Sequence, residues 1–158
     1  MKIQLLLVGK TNQDFVKSGV EEYYARLKHY LSSFEITVIP DIKQTKNLSF
    51  DQMKEKEGEL IGKYFQPGDF IVLLDEHGME FSSLAFAEYI EKKMHTVAKR
   101  MVFVIGGPYG FSNKVYATAQ EQISLSQLTF SHQLVRLIFI EQLYRAMTIL
   151  GNEPYHHE

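Results

Sequence analysis

A glycine-rich turn is the first feature of the sequence that could bind a ligand. Gly106-Gly107-Pro108-Tyr109-Gly110 directly follows the apolar run Met101–Ile105, and glycines at the end of a buried strand let backbone atoms approach a ligand closely. The spacing differs from the G-x-G-x-x-G pattern of dinucleotide sites, because Pro108 stands where the middle glycine is required. The turn therefore indicates either a tight structural connection or a site for a ligand other than NAD or FAD.

A second candidate segment runs from Ile123 to His132 and leads into the last predicted helix. It combines hydroxyls, an amide and free backbone groups with large apolar side chains, a mixture that suits a flat heterocycle with polar edges. The same segment fits a helix-capping loop in which Ser131 caps the helix and His132 begins it. Both interpretations can hold together.

Three charged residues lie in the final predicted helix, His132–Leu150, and buried or interfacial charges need partners. Glu141 and Arg145 have the spacing of an ordinary intrahelical ion pair. Alternatively, Glu141 orients the guanidinium of Arg145 toward a phosphate, a carboxylate or a base. Arg136 has no such partner within the helix, and an inter-subunit salt bridge is a further alternative for either arginine.

The same helix has 12 apolar positions out of 19, which is more than one core-facing stripe. It is therefore buried on both sides within one subunit, or one side meets a partner. Closed two-fold dimers are the commonest oligomers, and we predict a symmetric homodimer.

Other motifs point less clearly to chemistry. Gly9-Lys10-Thr11 lacks the earlier glycine of a phosphate-binding P-loop, since position 4 is Gln4. Asp75-Glu76-His77-Gly78 could in principle hold a divalent metal, but without a second cluster we interpret it as a solvated turn that ends a strand. The chain has no cysteine, which excludes thiol catalysis and thiolate metal sites. We predict no bound metal.

Five apolar runs alternate with helical patterns along the chain. Continuous rather than alternating apolar runs are typical of strands covered on both faces, so the pattern predicts an α/β fold with an open, mostly parallel sheet and helices on both faces. The predicted strands are Ile3–Val8, Glu35–Ile39, Phe70–Leu74, Met101–Ile105 and Gln122–Leu125. The predicted helices are Asn12–Leu31, Phe50–Phe65, Ser82–Val97 and His132–Leu150, with Pro40–Leu48 as the most mobile loop.

Composition bounds the classes of function. The 158 residues carry a net charge of -2 and form a single predicted domain, 1–158, which argues against binding nucleic acid through bulk positive charge. The charge is uneven, because residues 92–158 hold seven Lys/Arg against four Asp/Glu. We interpret this half as a local anion-facing surface or as scatter on a solvated face. Without a targeting or membrane segment, the expected location is the cytoplasm.

Several of these pieces, in this order, resemble the RlmH (YbeA-like) family of ribosomal RNA methyltransferases over essentially the whole chain. The matching segments are Lys2–Lys10, Lys56-Glu57-Gly58, Leu73-Leu74-Asp75 with Gly78, Phe103–Gly110, Leu125–Phe130, His132, Glu141–Ala146 and Pro154-Tyr155-His156. Two positions depart from the family pattern. Ser131 stands where some members have proline, and His157 stands where they tend to carry a basic residue after the Tyr-His pair.

The resemblance implies a SPOUT-type α/β fold with a C-terminal trefoil knot, a homodimer, S-adenosylmethionine as the methyl donor, and N3 methylation of a pseudouridine in a hairpin loop of ribosomal 23S rRNA. The cofactor pocket it implies comprises Leu74, Gly106, Leu125, Ser126, Gln127, Leu128, Thr129 and Phe130. Arg145 would hold a phosphate or stabilise the developing anionic base, His132 or His156 would accept or relay the N3 proton, and Tyr155 would stack on or hydrogen-bond the base.

Two other functions remain open from the sequence. A chain that keeps the fold and has lost catalysis would act as a ribosome- or RNA-binding module, and its sign would be a degraded cofactor loop, of which Ser131 and His157 are the only hints. A related methyltransferase could instead act on tRNA.

Overall fold

The computed structural model describes residues 1–43 and 45–157. A five-stranded sheet with the order β2-β1-β4-β3-β5 forms its centre, and every neighbouring pair of strands is parallel. The elements in chain order are β1 (Lys2–Val8), α1 (Asp14–Leu27), β2 (Glu35–Ile39), α2 (Phe50–Gly62), β3 (Phe70–Glu80), α3 (Ser83–Thr96), β4 (Arg100–Ile105), α4 (Asn113–Thr118), β5 (Glu121–Ser124) and α5 (Leu134–Leu150).

Alternate residues of the central strands point to opposite faces of the sheet, and each face has its own core. In β4, Met101, Phe103 and Ile105 pack in the core shared with α1, α3 and α5. Val102 and Val104 point to the other face, toward α2 and α4. Helices therefore cover both faces of a parallel sheet, and the fold predicted from the continuous apolar runs is confirmed.

Local sequence sets where the helices begin. Ser49 Oγ accepts a hydrogen bond from the backbone N–H of Gln52, and Gln52 Oε1 accepts one from the N–H of Ser49, which forms a complete capping box for α2. Ser82 caps α3 through the N–H of Ala85. These caps satisfy backbone donors that have no partner inside the helix.

The structure corrects one prediction about β3. Residues 75–78 do not end the strand as a solvated turn, because β3 continues through them to Glu80. Leu74 and Met79 both stand opposite Ile123 of β5, so the four residues between them form a bulge. A Cβ at Gly78 would lie 2.6 Å from backbone atoms of β5, so only glycine fits at this point of the bulge.

All five predicted strands are present, and α4 is an additional short helix that the sequence pattern did not indicate. The predicted loop Pro40–Leu48 falls in the connection between β2 and α2, where Gln44 lies outside the described residues. No helix in the described part of the chain is long and apolar enough to cross a membrane. The trefoil knot implied by the resemblance stays a prediction.

Candidate functional site

A cavity of about 720 Å³ opens beside the bulge of β3, where this strand leaves its pairing with β4, and at the carboxyl ends of β4 and β5. Such an edge of a parallel α/β sheet is where ligands of these folds bind. Seven of the eight residues expected to hold the cofactor line it: Leu74, Gly106, Leu125, Ser126, Leu128, Thr129 and Phe130. The eighth, Gln127, does not line the cavity, and its Nε2 lies 3.5 Å from Glu80 Oε2. The two candidate segments found in the sequence therefore meet at one site.

The glycine-rich turn forms one wall of this cavity. A Cβ at Gly106 would lie 2.9 Å from the ring of Phe111, which is itself buried. Gly110 has a φ of +81°, in the left-handed region that favours glycine. The turn therefore depends on glycine in two ways. Gly106 leaves room for the ring of Phe111, and Gly110 adopts a backbone conformation that other residues rarely adopt.

Behind the turn lies Glu57, a buried residue of α2 that does not line the cavity. Its Oε1 accepts a hydrogen bond of 3.0 Å from the backbone N–H of Gly107. Burial raises the pKa of the Glu57 carboxyl; the bond from Gly107 opposes that shift, and Asp41 adds to it. Sequence reasoning noted Glu57 only as part of the family resemblance, because Glu57 and Gly107 are 50 positions apart.

Asp75 is a second residue whose place in the site the sequence did not indicate. It lines the cavity, and its carboxylate accepts hydrogen bonds from the Tyr116 hydroxyl and from the N–H of His77. Burial and this carboxylate raise the pKa of Tyr116, so the phenol stays protonated. The described residues contain no group of three or more His, Cys, Asp or Glu side chains able to hold a metal ion.

Short-range hydrogen bonds hold the loop between β5 and α5. The hydroxyl of Ser124 donates to the carbonyl of Ser126, and Ser126 Oγ accepts from the N–H of Leu128, whose side chain is 75% exposed. Ser131 Oγ accepts from the N–H of Leu134, but the N-cap of α5 is Gln133, whose side chain makes no capping hydrogen bond, and the helix begins at Leu134. The predicted cap at Ser131 and the predicted helix start at His132 are therefore wrong. His132 lies exposed at the cavity wall.

The other predicted catalytic residues gather at the opposite end of α5. Arg145 Nη2 donates to Glu141 Oε1 at 2.6 Å, which confirms the intrahelical pair, and the Tyr155 hydroxyl donates to the same oxygen at 2.9 Å. The guanidinium carbon lies 4.8 Å from the centre of the Tyr155 ring, and Nη1 donates to His156 Nδ1 at 3.1 Å. Burial, then the hydrogen bonds with Tyr23 and Glu141, raise the pKa of Tyr155. We refer to Glu141, Arg145, Tyr155 and His156 as the tail cluster.

Within one chain the tail cluster is distant from the cavity. Arg145 lies eleven positions beyond Leu134 in α5, which at a rise of 1.5 Å per residue is about 16 Å along the helix axis. His132 lies beyond the start of that helix, at the cavity. The structure therefore brings Arg145, Tyr155 and His156 together and leaves His132 apart from them.

Arg136 has a structural role inside its own subunit, so the alternative of an inter-subunit salt bridge is wrong for this arginine. Its side chain is completely buried, and Nη2 and Nη1 donate to the carbonyls of Val8 and Gly9 at 2.6 and 2.8 Å. Further donated bonds reach Thr11 Oγ1 and the carbonyl of His132. Through these hydrogen bonds Arg136 links the end of β1 to the start of α5.

Comparisons with known proteins agree with this fold. The model of the family described as "Predicted SPOUT methyltransferase" matches residues 1–156. Proteins called "Ribosomal RNA large subunit methyltransferase H" from Parabacteroides distasonis and Phocaeicola vulgatus are 65% and 63% identical to the chain over 158 residues, covering 100% of each sequence.

Among solved structures, a probable methylase family protein from Haemophilus influenzae Rd KW20 aligns with a TM-score of 0.54 at 11% identity, over 99% of this chain and 70% of that one. This likeness supports the fold alone. The family model and the full-length relatives go further, and the chain belongs to the SPOUT family of methyltransferases.

Proposed function

We propose that this protein transfers a methyl group from S-adenosylmethionine to N3 of a pseudouridine in 23S rRNA, in a hairpin loop of the assembled ribosome. The cavity beside the bulge of β3 and the carboxyl ends of β4 and β5 carries the proposal, since it unites the glycine-rich turn with the loop that the resemblance assigns to the cofactor. Full-length relatives named for large-subunit ribosomal RNA methylation support the substrate. With a ribosomal substrate, the location we propose is the cytoplasm.

The residues around the cavity fit S-adenosylmethionine. Its volume of about 720 Å³ lies in the range of small-molecule sites. Leu74, Ile105 and Leu125 offer apolar contacts for an adenine ring, while the backbone groups of Gly106 and the following loop offer hydrogen bonds to its polar edge. Bound there, S-adenosylmethionine supplies an electrophilic methyl group on a sulfonium.

Orientation and proton removal are the tasks left to the protein, since a ring nitrogen must attack in line and lose its proton. His132 is the better placed of the two candidate histidines, because it lies at the cavity wall. His156 Nδ1 accepts a hydrogen bond from Arg145, which has only donors, so taking a proton at that nitrogen would break the bond. We assign proton acceptance or relay to His132.

Arg145 is suited to an anionic group of the substrate. Glu141 and His156 fix the guanidinium at Nη2 and Nη1, so it is oriented before any substrate arrives. A preoriented guanidinium can hold a phosphate or stabilise negative charge that develops on the base. Tyr155 packs under the guanidinium and stays neutral because of its raised pKa, consistent with a role in stacking or hydrogen bonding.

A homodimer would bring the two separated groups together. Several apolar side chains of α5 are only partly buried in one chain, among them Leu134, Ile138 and Leu150. If α5 packs antiparallel against its copy across a two-fold axis, the C-terminal end of each helix lies beside the N-terminal end of the other. The tail cluster of one subunit would then face the cavity of its partner.

The test is transfer of a labelled methyl group to ribosomes that lack the modification, with free 23S rRNA and tRNA as comparisons. We expect label on ribosomes, at a single pseudouridine located by nuclease digestion and mass spectrometry. Label on none of the three RNAs would favour a binding module without catalysis. Label on tRNA alone would replace the proposed substrate.

A further inference from the structure

Helix α2 contacts the glycine-rich turn at Gly107 and the chain just after the turn at Ser112, although Glu57 does not line the cavity. Glu57 Oε1 accepts the N–H of Gly107 at 3.0 Å, and a Cβ at Gly107 would lie 2.8 Å from Glu57 Oε2. One residue further along the helix, a Cβ at Gly58 would collide with the hydroxyl of Ser112. The turn thus packs against α2 at Gly107, which is part of the cavity wall, and again just beyond its end at Ser112.

The two contacts have different functions in this arrangement. Ser112 caps α4 by accepting a hydrogen bond from the N–H of Val115, so its hydroxyl stabilises the start of that helix independently of the contact with Gly58. The bond from Gly107 to Glu57 belongs to no helix or strand, and it satisfies a backbone donor of the turn with a carboxylate that is buried on the side away from the cavity. A polar group buried at this depth is unfavourable unless a specific partner compensates it.

We infer that Glu57 is a positioning residue of the methyltransferase, which acts through Gly107 and holds the glycine-rich turn in the conformation that binds the methyl donor. This inference rests on the proposed function and extends the site to α2. A residue of this kind affects affinity for the donor and leaves affinity for the ribosome unchanged, because its contact is with the cavity wall alone.

Four variants separate positioning from general stability. Glu57→Ala removes the acceptor, Glu57→Asp shortens the side chain by one methylene with little loss of bulk, and Glu57→Gln keeps an oxygen at the same reach. Glu59→Ala is the matched control, since Glu59 is exposed on the same helix. Titration calorimetry with S-adenosylmethionine gives the dissociation constant, and amide hydrogen exchange of the peptide that covers residues 106–112 reports on the turn itself.

Glu57→Ala and Glu57→Asp should each weaken donor binding by about tenfold, since a lost charged hydrogen bond leaves a donor unpaired. In both, exchange within residues 106–112 should accelerate. Glu57→Gln should stay within about threefold of wild type in both measurements. Glu59→Ala should match wild type, and the Michaelis constant for ribosomes should be the same in all four.

Unchanged donor affinity in Glu57→Asp, beside a wild-type chain that binds, would overturn the inference and leave the proposed function intact. A Glu57→Gln variant as weak as Glu57→Ala would also overturn it, because the acceptor would then be irrelevant. Absence of donor binding by the wild-type chain would overturn the proposed cofactor and this inference together.

Discussion

Replacing Arg145 by alanine should abolish most methyl transfer while leaving the donor site intact. The change removes the 2.6 Å pair with Glu141, the bond to His156 and the contact with the Tyr155 ring. The stability cost is moderate, because both partners of the ion pair keep about a fifth of their surface exposed and Glu141 retains hydrogen bonds from Tyr155 and Gln142. A loss of about 1–2 kcal/mol would lower the melting temperature by about 3–6 °C in a chain of this size.

The catalytic loss should be much larger than this. Removing one preoriented donor to developing charge lowers kcat by about 10²–10³-fold. The assay is single-turnover methylation of unmodified ribosomes at saturating S-adenosylmethionine. Calorimetry should show unchanged donor binding, because Arg145 is not among the residues that line the cavity. Arg145→Lys should recover only part of the rate, because lysine keeps the charge and loses the planar fork.

A matched control comes from α1, where Arg26 pairs with Glu22 at the same i, i+4 spacing and also lies over tyrosine rings. Arg26→Ala should keep a rate within about threefold of wild type. Near-normal methylation by Arg145→Ala, or a loss no greater than in Arg26→Ala, would refute the assignment. A parallel loss of donor affinity would show instead that Arg145 acts through the cofactor site.

Three further variants test the cavity, the core and the buried carboxylate. Gly106→Ala should weaken S-adenosylmethionine binding by about tenfold in calorimetry, because its Cβ meets the buried ring of Phe111 at 2.9 Å; unchanged binding would show that the turn yields freely. Arg136→Met should lower the free energy of unfolding in urea by about 3–5 kcal/mol, since four acceptors lose their donor, and a loss below about 1 kcal/mol would contradict that role. Burial raises the pKa of Glu57, so the folded chain holds that proton more tightly than the unfolded chain. Wild-type stability should therefore fall relative to Glu57→Gln as the pH rises from about 4, in denaturation curves where a Glu59→Gln control shows no such trend.

The fold was predictable because its main signal is local. Buried parallel strands produce continuous apolar runs such as Met101–Ile105, which need no knowledge of distant residues. The six-residue helix Asn113–Thr118 was missed because it buries only Val115, too little for a helical period. The bulge after Leu74 was missed because it depends on the close approach of Gly78 to β5, a contact between distant segments.

The site was likewise predictable only where its segments carry a local sequence pattern. The glycine-rich turn and the loop before α5 each carry a local signature, and both line the cavity. Glu57 lacks such a signature, since an acidic residue in a charged helix suggests solvent until the fold places Gly107 against it. The inter-subunit salt bridge left open for Arg136 was wrong, and its true role was missed because most of its acceptors are backbone carbonyls, which leave no pattern in a sequence.

The ion pairs formed by residues 92–158 change the interpretation of the excess of basic residues in that half of the chain. Of its seven Lys and Arg residues, Arg136 is buried, and three are engaged in ion pairs: Lys93 with Glu121, Arg100 with Asp69 and Arg145 with Glu141. Only Lys92, Lys99 and Lys114 remain exposed without such a pair among the described residues. Four of these seven basic residues therefore have partners within the subunit, which weighs against a local anion-facing surface built from the whole excess of positive charge. Three exposed lysines in this half release few counterions from RNA, so we expect selectivity for a ribosomal site to come largely from the shape of that site and from a few oriented groups such as Arg145.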